Sequence, residues 1–136
     1  MRLNLCLYLP QVNADVRTVF PEARRLEGSF AIPFRSATLK LNSMPETDLG
    51  EHLSGFLAYI ESLAEPKEAK AEAAGIVRST KTVLGLVTDL ELRGNEDVPA
   101  FLGAILERFG GCMFAYDSVI RSDGEILVGP LKDHTE

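Results

Sequence analysis

Residues 2–9 alternate, with Leu3, Leu5, Leu7 and Leu9 on one side and Arg2, Asn4, Cys6 and Tyr8 on the other. This is the period of a strand with one buried face. Residues 10–29 hold Pro10, Pro21, Gly28 and scattered charge, which predicts a loop containing at most a turn of helix near 16–20 or 22–26. Residues 30–42 extend again, with Ala37, Leu39 and Leu41 opposite Thr38, Lys40 and Asn42. Pro33 limits the first half of that stretch to an edge or a bend, because proline cannot donate to a strand ladder.

The period then changes. Leu49, Leu53, Phe56, Leu57, Ile60 and Leu63 recur at helical spacing, and Thr47 or Asp48 supplies a cap, with Asp48 and Glu51 spaced as a capping box. Pro66 breaks this helix and starts a second over 67–79, whose Ala69, Ala73, Ile76 and Val77 form a narrow apolar strip. Residues 82–88 are almost continuously apolar, as a strand covered on both faces would be. A third helix over 98–109 buries Phe101, Leu102, Ile105, Leu106 and Phe109, with Asp97 as its cap and Gly110-Gly111 as its stop. Residues 112–120 form a strand, Ser122-Asp123-Gly124 a turn, and 125–128 a last strand closing a hairpin.

The order β-β-α-α-β-α-β-β predicts an α+β fold: a single sheet of about five mainly antiparallel strands with three helices packed largely on one face. The chain has 136 residues, 46% of them hydrophobic. That length supports one domain over 1–136 with a buried core, and 131–136 lack a burial pattern and are expected to fray.

Charge narrows the choice of partner. Fourteen basic residues against twenty acidic give a net charge of −6, so a phosphate backbone is disfavoured and no nucleic-acid partner is expected. The asymmetry is internal as well: residues 1–40 carry six basic and three acidic side chains, and the remainder is strongly acidic. Such a field favours a basic protein partner. The acid on the polar side of the first helix (Glu46, Asp48, Glu51, Glu61) argues against an anionic membrane surface. Asn4 and Pro10 interrupt the apolar start before a signal-peptide core is complete, so a cytoplasmic protein is expected.

Catalytic carriers are scarce. His52 lies beside the apolar stripe of the first helix and His134 in the tail, which gives little from which to build a Ser/His/Asp or Cys/His hydrolase. Cys6 and Cys112 sit in separate strand-like runs without metal-ligand spacing; they read as two reduced thiols, with one disulfide between neighbouring strands as the alternative. No glycine is followed by the residues of a phosphate-binding loop, and neither a metal nor a cofactor is expected. The most site-like residues are acidic: Asp89, Glu91, Glu96 and Asp97 around Gly94-Asn95, and Asp117, Asp123 and Glu125 around the last hairpin, with Phe114 and Tyr116 beside them.

The stretch from Leu84-Gly85-Leu86 through Phe101-Leu102-Gly103-Ala104-Ile105-Leu106 to Gly110-Gly111-Cys112-Met113-Phe114-Ala115-Tyr116-Asp117 resembles small acidic bacterial immunity proteins, the partners of polymorphic or secreted toxins. The resemblance covers about fifty residues in a strand-helix-GG-strand-turn-strand pattern. It implies a protein-binding module, poor in catalytic groups, that neutralises a basic toxin or enzyme by covering it. The acidic residues named above would then steer association while Phe114 and Tyr116 anchor it. The alternative is a small enzyme or ligand sensor using Asp117, Asp123 or Glu125 in a cleft, with Arg93 or Arg121 orienting an anionic group. A homodimer through an edge strand such as 30–41 is a third possibility, discouraged by Pro33 and Lys40.

Overall fold

The computed structural model describes residues 5–88, 95 and 97–132. Eight strands form one sheet: β1 (Cys6–Leu9), β2 (Arg24–Leu26), β3 (Ser29–Phe34), β4 (Ala37–Ser43), β5 (Thr82–Val87), β6 (Cys112–Ala115), β7 (Ser118–Arg121) and β8 (Ile126–Val128). Their order across the sheet is β2-β3-β4-β5-β1-β6-β7-β8, and every neighbouring pair is antiparallel. Three helices complete the α+β fold: α1 (Glu46–Ser62), α2 (Lys67–Arg78) and α3 (Asp97–Phe109).

The sheet has eight strands where the sequence pattern predicts five, because two extended runs fold back on themselves and one strand lies in a predicted loop. Residues 30–42 turn at Arg35, whose φ of 57° is left-handed, to give β3 and β4. Residues 112–120 turn at Tyr116 and Asp117, giving β6 and β7. β2 is only three residues long and fully exposed, so it carries no burial signal at all. The edges of the sheet are therefore β2 and β8, and β3 and β4 lie inside it.

Helices cover both faces, not largely one. Leu5, Leu7 and Leu9 join Leu39, Leu41, Leu84, Leu86 and Met113 in a core with Val98, Leu102, Ile105 and Leu106 of α3. Tyr8, Val83, Cys112, Val119 and Leu127 point the other way, into a core with Phe56 and Ile60 of α1 and Ala73 and Val77 of α2. β5 and β6 both run antiparallel to β1 and flank it, so α3 connects two like-directed strands with β1 inserted between them. On the α1 side, cover stops short of the β2 end. Thr38, Lys40, Asn42 and Val87 remain exposed there, and this is where the basic N-terminal segment places Arg24 and Lys40.

Local chemistry departs from the sequence reading at three places. α1 starts at Glu46 after Pro45, without a side-chain cap; proline's fixed φ makes a helix entry three residues earlier than the Asp48 capping box implies. Asp97 lies inside the first turn of α3 and pairs with Arg35 instead of capping. Of the stretch expected to fray, Leu131 and Lys132 are tied down, the Leu131 N–H donating to Ser118 Oγ at 2.9 Å and the Lys132 ammonium pairing with Glu65 at 3.6 Å, while 133–136 lie outside the described residues. The Glu65 side chain is 5% exposed.

The β6–β7 turn is strained. Tyr116 and Asp117 have φ of 53° and 62°, both left-handed, as a two-residue turn of this type requires; asparagine and glycine adopt such angles at less cost than tyrosine. Replacing the pair by Asn-Gly is expected to raise stability by about 1–2 kcal/mol. Urea denaturation checks this, and an unchanged or lower midpoint would mean that the native side chains offset the strain.

Candidate functional site

α1 crosses the sheet over β1 and β6, and one side chain per helical turn points down beside an open groove. Glu51, Gly55 and Tyr59 fall four residues apart, as do His52 and Phe56, so all five share one side of the helix. Together with Cys6 and Tyr8 of β1 and Phe114 of β6 they line a groove of about 410 Å³. Cys6 and Tyr8 face it because they occupy the positions between the buried leucines of β1.

Aromatic rings form a row along this groove. His52 stacks on Tyr8 (centroids 5.7 Å apart), Tyr8 meets Phe56 at 4.7 Å, Phe56 meets Phe114 edge-on at 5.1 Å, and Phe114 meets Tyr59 edge-on at 5.6 Å. Tyr8 and Phe56 are buried and form the floor, whereas His52, Tyr59 and Phe114 are half-buried and open to solvent. Two hydrogen bonds fix the ends of the row. The Tyr8 hydroxyl pairs with His52 Nε2 at 2.8 Å, and the Tyr59 hydroxyl donates to the Asp117 carbonyl at 2.7 Å. The Asp117 charge lies close enough to Tyr59 to raise the tyrosine's pKa, second to burial. Carboxylates thus stand at both ends: Glu51 beside His52, and Asp117 beside Tyr59.

Burial disfavours the charged form of three of the groups that line the groove. Burial pushes the Cys6 thiol up, the Tyr8 hydroxyl up and the His52 imidazole down. His52 spends Nε2 on Tyr8 and forms no hydrogen bond to Cys6, so no thiolate–imidazolium pair is assembled. Both cysteines are free. The fully buried Cys112, opposite Tyr8 in the β1–β6 ladder, is pushed by burial from its ordinary 9.0 to about 12.

An acid whose folded pKa is raised contributes stability that is intact below its unfolded pKa and is lost as pH rises through the folded value. Stability should therefore fall between pH 9.0 and about 12, and a Cys112→Val variant should lose less over that span. Urea unfolding at about pH 8 and about pH 11 checks this; equal losses in the two proteins would contradict it.

Among the nine residues expected to form a binding face, the structure brings two together here, Phe114 and Asp117. Asp89, Glu91 and Glu96 lie outside the described residues, as does Arg93. Asp97 is on α3, across the sheet from α1, and Tyr116 packs against the α3-side core. Asp123 and Glu125 sit at the opposite end of β7 from Asp117, roughly 17 Å away at the usual rise per strand residue. Both bind Arg121, as does Glu72 of α2.

Asp123 is held near 2, chiefly by its hydrogen bonds with Arg121, so it is a fixed anion and a poor proton carrier. Asp117 lies too far away to pair with it, whereas Asp123 shares Arg121 with Glu125, and Asp123 and Arg121 line a second cavity of about 310 Å³ between α3 and the β7–β8 turn. Asp15 is similarly held near 2 by hydrogen bonds from Arg17, far from this face. Among the described residues no group of three or more His, Cys, Asp or Glu could hold a metal ion, and no helix is long and apolar enough to cross a membrane.

His52, Tyr8, Glu51 and Tyr59 escape a sequence reading. The only signal is that the polar positions of β1 and one side of α1 both carry aromatic or ring side chains, which means little until β1 is known to lie beneath α1. No family model matches this chain, and neither a curated protein nor a solved structure shows significant similarity to it.

Proposed function

We propose that this protein is a binding module of the immunity type, which neutralises a basic partner enzyme by covering it with α1 and the adjoining groove. The observation that carries this reading is an open row of aromatic side chains flanked by carboxylates, beside a helix with four acidic residues (Glu46, Asp48, Glu51, Glu61) and no lysine or arginine. Solvent-open aromatics supply contact area at little entropic cost, and exposed acid attracts a basic surface and excludes an acidic one; of the four, Glu61 is partly offset by Lys70. The resemblance of residues 84–117 to immunity proteins points the same way.

The acidic hairpin is a weaker candidate for the contact, because Arg121 neutralises part of its charge. Affinity capture at low salt, followed by rate measurements on the recovered protein, tests the proposal. The expected result is a 1:1 complex whose association rate falls at least tenfold between about 0.05 M and about 0.5 M salt. A rate independent of salt would contradict electrostatic capture, and failure to recover any stoichiometric partner would contradict the binding module itself.

A further inference from the structure

Resting on that reading, we infer that the groove beneath α1 is an anchor site for a single arginine side chain of the partner, taken up between the aromatic row and the Glu51 and Asp117 carboxylates. The size suits one side chain: about 410 Å³ lies at the small end of ligand sites and cannot admit a helix. A guanidinium is the best-matched cation, since it is planar, stacks on aromatic rings and is less strongly hydrated than an ammonium.

No cation among the described residues competes for the place. Among the described residues the groove is lined by no lysine or arginine, and His52, kept neutral by burial and tied to Tyr8, adds no repulsive charge. Glu51 is exposed at one end of the aromatic row, and Asp117 is exposed at the other, so a guanidinium entering along the row would approach negative charge from either side.

Gly55 adds a separate argument. It lies on the exposed wall of the groove, in mid-helix, where glycine costs about 1 kcal/mol relative to alanine. A Cβ there would meet nothing within 4 Å, so nothing inside this chain requires the glycine. Its absence of a side chain keeps the wall low next to His52 and Phe56. Gly50 of the same helix, Gly75 and Gly103 are also unconstrained, but none of them lines the groove.

The test is an amide-resolved NMR titration of the whole protein with N-acetyl-arginine amide, its neutral isostere N-acetyl-citrulline amide, and N-acetyl-leucine amide. The arginine probe should bind at least fivefold more tightly than either of the others, perturbing the amides of His52, Gly55 and Phe114 most. Gly55→Leu, a change that favours the helix and fills the groove mouth, should abolish the effect. Equal affinity for citrulline, tighter binding of leucine, or undiminished arginine binding by Gly55→Leu would overturn the anchor. If the probes fail while a basic partner is still captured by the intact protein, the anchor is wrong and the binding module stands. Arginine binding without a captured partner would separate the two in the opposite sense.

Discussion

Gly111→Ala is expected to abolish the folded state at ordinary temperature. Gly111 has φ of 96° and sits where α3 hands the chain to β6; a Cβ there would lie 1.9 Å from the Tyr8 carbonyl oxygen and 3.2 Å from Leu9 Cα. Both contacts are to backbone of the strand at the centre of the sheet, so no side chain can rotate away. Relief requires β1 and β6 to separate, which opens the ladder joining Tyr8 to Cys112 and disturbs both cores at once. Left-handed strain adds to the clash. A loss above about 4 kcal/mol is expected, in the range reserved for such combined backbone failures. Circular dichroism with urea titration reads it directly, and a cooperative transition within about 1 kcal/mol of the parent protein would show that the approach of Gly111 to β1 is looser than the structure has it.

The second large effect is on binding. Phe114→Ala should weaken the complex with the basic partner at least about 30-fold, a loss of about 2 kcal/mol typical of a central anchor. Phe114 links Phe56 to Tyr59 across the groove, so its removal takes away contact surface and leaves Tyr59 without its ring neighbour. Because Phe114 is half-buried, the cost to folding should stay near 2 kcal/mol, below the full cost of deleting a core phenylalanine. Loss of affinity with an unchanged fold is therefore the expected pairing. An affinity within threefold of the parent would remove Phe114 from the interface.

Much of the architecture is legible in the residue pattern, because burial imposes period two on β1 and period 3.6 on α1 and α3. The continuous apolar run of β5 correctly marks a strand covered on both faces, with Leu84 and Leu86 turned to α3 and Val83 to the α1–α2 side. Turns made without glycine are where the pattern fails. Arg35, Tyr116 and Asp117 adopt left-handed angles that their chemistry does not advertise, so two hairpins read as two long strands. β2 fails for the opposite reason, since an exposed edge strand has no buried face to reveal it.

The site was less legible than the fold for a related reason. Acid clustered along the sequence at 117–125 is divided in space by the length of β7, and its hairpin half is occupied by Arg121. The groove beside α1, by contrast, is assembled only through long-range packing: Tyr8 and His52 are 44 residues apart, and Tyr59 and Asp117 are 58 apart. Periodicity is a local property and cannot report such pairings. The charge asymmetry survives folding as a gradient, with Arg24 and Lys40 toward the β2 end of the sheet and the acidic α1 beyond it.

The central claim is that contact runs through α1 and its groove, and not through the acidic hairpin. Titration calorimetry of the captured partner against Glu51→Lys and Asp123→Lys tests it most directly, because each variant reverses one exposed charge and the two lie at different places on the molecule. The expected result is at least about a 30-fold loss for Glu51→Lys and a change within about threefold for Asp123→Lys. The reverse order, or equal losses in both, would contradict the assignment of the groove as the binding site.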